Sequence, residues 1–119
     1  MRAAALAGGW LYAAAIVWLS LRSSPPDPGF AYGDKLGHFA AYALLMFWFC
    51  WLYRARNTRF AYGAGWIAMG MALEFVQGTT GYRSLEFGDM AANALGVLAG
   101  ALAALSLPRA AAAAGKETP

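Results

Sequence analysis

Glu74 and Gln77 stand three residues apart, Asp89 and Asn93 four apart, and Arg83 lies between the two pairs. Residues at these spacings share a helix face. If the two segments are antiparallel neighbours, two carboxylates, two amides and a guanidinium meet at one end. Upstream, Asp34, His38 and Tyr42 recur at intervals of four, with Lys35 beside them, so a third face points to the same end. Lys35 and Arg83 suit an anionic group such as phosphate, Arg offering a bidentate fork. Gln77, Asn93 and Tyr42 add neutral hydrogen bonds, and Glu74 orients Arg83. The same residues also suit acid–base chemistry. His38 would move the proton, Glu74 or Asp89 would orient it, and Arg83 would stabilise developing charge. Ser84, Thr79 and Thr80 are loop hydroxyls without a triad around them. A metal held by His38, Glu74 and Asp89 is disfavoured, because the single histidine has no ligand-spaced partner. No phosphate loop, nucleotide fingerprint or haem motif is present, so no cofactor is implied. A plainer reading makes the cluster a clasp for helix ends, with Asp34 and Asp89 as N-caps and Asn93 bonded across an interface.

The elements that must position these groups are apolar. The 119 residues are 61% hydrophobic and 13% charged, about half the charge of an average soluble domain. Four stretches, at about 3–21, 36–53, 60–76 and 90–107, approach the roughly 20 apolar residues that cross a bilayer. An all-α, polytopic bundle of four membrane-spanning helices follows, one domain over 1–107. The first stretch exceeds the apolar core of a cleaved signal and lacks a small-x-small exit. Residues 23–33 carry three prolines and form a loop. The basic link at 54–59 is short enough to make its two helices antiparallel neighbours. Gly96 and Gly100 form a GxxxG pair suited to close helix approach. The lone Cys50 lies within an apolar run and reads as packing. The tail at 108–119 is expected to be disordered and cytoplasmic.

Charge places the ends. Arg2, Arg54, Arg56, Arg59, Arg109 and Lys116 fall on one side of a four-span chain, against Arg22, Lys35 and Arg83 on the other. The positive-inside rule then puts both termini in the cytoplasm and the polar constellation at the outer face. The basic residues sit at helix ends rather than along one soluble face, which argues against nucleic acid. Polar groups stop at one interface, so a channel or transporter fits poorly unless several copies associate. A homo-oligomer stays open as a partner state.

The run DKLGHFAAY, then EFVQ, then an arginine ahead of DMAANALGVLAG, resembles the VanZ-like family of small membrane proteins, whose founding member is linked to teicoplanin resistance. The likeness spans Asp34 to about Gly100. Asp34, Lys35, His38 and Tyr42 match the first motif, Glu74 and Gln77 the second, and Arg83, Asp89, Asn93, Gly96 and Gly100 the last. It implies a polytopic helical protein of the bacterial cytoplasmic membrane, without a settled chemistry. A role in the envelope is the expectation, with a membrane lipid or lipid-linked envelope precursor as ligand. The alternatives are a lipid phosphoester or pyrophosphate hydrolase and a purely structural or interaction protein.

Overall fold

The computed structural model describes residues 2–22, 33–81 and 86–106, apart from the side chain of Asp34. The expectations for Arg83, Ser84, the proline-rich loop at 23–32 and the tail at 108–119 concern residues outside that set. The described chain is all-helical: α1 (Arg2–Leu21), α2 (Gly33–Leu52), α3 (Arg56–Thr79) and α4 (Phe87–Leu105). Three of these, α1, α2 and α4, are long and apolar enough to cross a membrane, as befits a membrane protein. The third helix is longer, at 24 residues, but Glu74, Gln77 and its glycines dilute the apolar run.

Helix ends differ from the sequence expectation in ways that physical chemistry explains. The basic link shrinks to Tyr53–Ala55, because Arg56 to Arg59 enter the first turn of α3. Arg59 thereby reaches back to α2, donating to the carbonyl oxygens of Tyr53 and Cys50, each at 2.6 Å. The last carbonyls of a helix have no partner within it, and these two gain a cationic one. At the other end, α3 continues three residues past Val76 and leaves through Gly81, whose φ of 86° favours glycine. Neither expected N-cap holds. Asp34 lies inside the first turn of α2, and Asp89 is the third residue of α4, its N–H bonded to the Glu86 carbonyl. Glu86, in extended conformation, holds the cap position of α4.

The four helices alternate in direction. One end of the bundle gathers the end of α1, the start of α2, the end of α3 and the start of α4. The other gathers Arg2, Tyr53, Arg54, Arg56 and Arg59. We call these the site end and the arginine end. The closest pair is α2 with α4, whose backbones touch. A Cβ on Gly96 would collide with the Phe39 carbonyl, and one on Gly100 with the Ala43 carbonyl, so only glycine allows this approach. Aromatic rings join α1, α2 and α3: Phe49 stacks on Tyr62 at 4.6 Å, and Trp10 meets Trp66 edge-on at 5.3 Å. Tyr12 donates to the Ala41 carbonyl at 3.1 Å, and Trp48 to that of Ala5 at 2.9 Å, hydrogen bonds of the kind that hold helices together in lipid. Cys50 is buried among these side chains as a free thiol. Large apolar side chains face outward, including Leu11, Leu44, Phe60, Phe87 and Leu102. A soluble monomer rarely exposes so continuous an apolar surface.

Candidate functional site

At the site end, four polar side chains are almost wholly buried: Glu74 at 1% exposure, Gln77 at 2%, Asn93 at 3% and Asp89 at 5%. Glu74 lies five residues inside the end of α3, about 7 Å at 1.5 Å per residue, deeper than a helix ending at Val76 would place it. Burial of a carboxylate at such depth is costly unless its lone pairs are met. One is met by the backbone: Glu86 N–H donates to Glu74 Oε2 at 2.6 Å. That bond ties α3 to the residue from which α4 starts.

Lys35 connects α2 to the same point. Its Nζ lies 2.6 Å from Glu86 Oε1 and 3.2 Å from Asp89 Oδ1, and its stem passes over Gly88, where a Cβ would meet Cε at 2.8 Å. Asp89 therefore faces a cation and sits in the first turn of α4, where the helix dipole also favours negative charge. Its Oδ1 is buried and lacks a hydrogen bond of good geometry among the described residues, although Lys35 neutralises it. His38 lies between an amide and a carboxylate. Nδ1 is 3.0 Å from Asn93 Oδ1, and this contact assigns the proton to Nδ1, since an amide oxygen accepts. Nε2 lies 3.6 Å from Asp89 Oδ2, beyond a direct hydrogen bond but within reach of the carboxylate's charge. Asn93 is pressed against α3, where a Cβ on Gly70 would come within 2.8 Å of Nδ2. Gln77 turns the other way and donates to the Ser20 carbonyl at the end of α1, at 2.5 Å.

The structure thus gathers Lys35, His38, Glu74, Gln77, Asp89 and Asn93 at one end, and separates their roles. Asp89 faces His38, whereas Glu74 serves the Glu86 backbone. Gln77 holds α1 and is turned away from the His38 side. Tyr42 is 2% exposed and belongs to the apolar core beneath His38, without a hydrogen bond for its hydroxyl among the described residues. Thr79 and Thr80 spend their hydroxyls on the α3 carbonyls of Val76 and Gln77, at 2.7 and 2.8 Å. His38, Glu74 and Asp89 do not form a metal-ligand group among the described residues. Gly96 and Gly100 act as expected of a close-approach pair, and their partner is α2.

Glu86 is the residue that sequence reasoning missed. It pairs with Lys35 through its side chain and with Glu74 through its backbone. An acidic residue three positions ahead of Asp89, just before an apolar run, was the available signal. It was obscured by taking Asp89 itself as the start of the helix. Comparison with protein-family models, with curated proteins and with solved structures finds no match to this chain.

Proposed function

We propose that the chain is a four-span, VanZ-like protein of a bacterial cytoplasmic membrane, with both termini inside and an outer-face site that binds a lipid-linked envelope precursor. The observation that carries this reading is the burial of Glu74, Gln77, Asp89 and Asn93 at one end of a bundle whose outer surface is apolar. Ionisable groups at membrane depth are costly and mark functional sites more often than random positions do. Support for α3 as the fourth span comes from its length, about 36 Å at 1.5 Å per residue, and from its sidedness. Glu74 and Gln77 face inward, while Phe60, Met71, Phe75 and Val76 face out.

The charge balance narrows the ligand. Lys35 is flanked by the carboxylates of Glu86 and Asp89, and Glu74 is bonded to the Glu86 N–H, so a bare anion placed at this ammonium would meet repulsion. A ligand that brings hydrogen-bond donors as well as phosphate is better suited. Its sugar hydroxyls or amino groups would approach Asp89 and Glu86, and Arg83 would take the phosphate. A lipid-linked saccharide precursor has both features. Native mass spectrometry of detergent-released protein tests this, with wild type beside Arg83→Ala and Glu74→Gln. Retention of a phosphate-bearing lipid by wild type and its loss from a folded Arg83→Ala is expected. Equal retention by both overturns the assignment. If no lipid is retained and both variants unfold, the cluster is a structural clasp.

The contact of His38 with both Asn93 and Asp89 favours a second reading, a hydrolase acting on a lipid phosphoester or pyrophosphate. A histidine whose Nδ1 donates to an amide and whose Nε2 lies 3.6 Å from a carboxylate has Nε2 as its base, placed to take a proton from a water or substrate oxygen. Headgroup release by purified protein, abolished in His38→Ala, would establish it. No release from any envelope lipid removes it.

A further inference from the structure

At the arginine end, opposite the site, α3 and α4 part. They are tight at Gly70 and Asn93, and farther along the small residues Gly63, Ala64 and Ala101 leave a cleft backed by Met46 and Cys50 of α2. Its volume is about 520 Å³, within the usual range of small-molecule sites. The α4 wall runs from Val97 to Leu105, about 12 Å at 1.5 Å per residue, close to the roughly 15 Å half-thickness of a hydrocarbon core. The walls are apolar and the mouth is cationic, formed by Arg54, Arg56 and Arg59. Arg59 is occupied by the α2 carbonyls. Arg54 and Arg56 make no ion pair or hydrogen bond among the described residues.

We infer that this cleft is a binding site for an anionic phospholipid of the leaflet facing the arginine end, one acyl chain lying between α3 and α4 and the phosphate held by Arg54 and Arg56. The apolar length fits one leaflet, and the two uncommitted guanidiniums supply the complementary charge at the depth where a headgroup sits. A second copy of the chain is a poorer occupant, since it would bring the same arginines to the same mouth and repel. The inference rests on the membrane-spanning reading but not on any ligand at the site end.

The experiment reconstitutes the full chain in phosphatidylcholine vesicles. Spin-labelled phosphatidylglycerol and spin-labelled phosphatidylcholine are compared by the fraction of each that is motionally restricted. Wild type should select phosphatidylglycerol. Each arginine near an anionic headgroup is worth roughly fivefold, so Arg54→Gln/Arg56→Gln should lower the selectivity on the order of twenty-fold. Ala64→Phe/Ala101→Phe, which fills the cleft and keeps every charge, should abolish it. Lys35→Ala, at the site end, should leave it intact. Equal restriction of both lipids by wild type overturns the proposal, as does selectivity that survives both double variants. So does a crosslinked dimer joined through the cleft. Failure of the chain to float with vesicles would instead fault the membrane-spanning reading.

Discussion

Lys35 is the cation paired with Glu86 and Asp89, and its removal gives a graded test of the arrangement. The ammonium is 3.2 Å from Asp89 Oδ1 and 2.6 Å from Glu86 Oε1. Coulomb attraction across the longer contact is about 5 kcal/mol at an effective dielectric constant of about 20. Much of this is offset by desolvation and solvent screening, because the Lys35 side chain is 31% exposed. Exposed pairs are worth up to about 1 kcal/mol, while breaking a buried pair costs about 3 to 5. The Asp89 side chain is 7% exposed and that of Glu86 is 43%, so the two halves differ. Lys35→Met strands the Asp89 carboxylate and should cost about 2 kcal/mol. Glu86→Gln should cost less than about 1 kcal/mol. In an Asp89→Asn background, Lys35→Met no longer leaves a buried carboxylate alone, so the double variant should be more stable than the sum of the single losses predicts. Unfolding of detergent-solubilised protein, followed by circular dichroism against temperature and denaturant, measures the cycle. Strict additivity, or a Lys35→Met protein as stable as wild type, would show that the contact contributes nothing.

Other perturbations read the packing that holds the site. Gly96→Ala and Gly100→Ala drive a methyl into α2 carbonyls that cannot yield, and each should cost about 1 to 3 kcal/mol, seen as a lower unfolding midpoint. Unchanged midpoints would mean that α2 and α4 are not in backbone contact. Arg59→Met removes both donors to the end of α2, and Gln77→Leu removes the donor to the end of α1. Each should cost about 1 to 2 kcal/mol. Hydrogen exchange should quicken at residues 50–53 in the first and 20–22 in the second, and protection equal to wild type would refute the tie.

Helical class, the number of helices and the residues that converge were legible because apolar length and spacings of three and four are local properties. Glu74 with Gln77, and Asp89 with Asn93, fall on buried faces as their spacing implies. Their pairings were not legible. Lys35, read beside Arg83 as a holder of phosphate, pairs with Glu86 and Asp89, and Glu74 takes a backbone N–H; the expected contact of Glu74 with Arg83 lies outside the described residues. Such choices depend on where a helix begins, and a shift of three residues in the start of α4 moved the cap from Asp89 to Glu86. The role of Gln77 was hidden for a related reason. Its partner is a main-chain carbonyl of α1, and no side chain in α1 signals that.

The third helix tests the four-span reading most directly, because several of its residues have partners on the neighbouring helices. Arg59 serves α2, Gln77 serves α1, Glu74 serves the chain entering α4, and Gly70 admits Asn93 of α4. On the four-span reading, its lower apolarity is the cost of satisfying its neighbours rather than a sign of contact with water. A charged residue near the centre of a membrane helix costs about 2.5 to 3.5 kcal/mol for insertion, and Glu74, about 7 Å inside its helix end, should incur part of that when α3 is alone. Isolated residues 56–79 should therefore insert inefficiently in a glycosylation-mapping assay, and Glu74→Leu should improve insertion. Within the whole chain, α3 should cross fully, with reporters at 54–55 and 80–81 on opposite sides, while Glu74→Leu should lower stability by exposing an unpaired Glu86 N–H. Reporters on the same side in the whole chain would leave α3 outside the hydrocarbon core, reduce the bundle to three spans and overturn the assignment of both termini to one side.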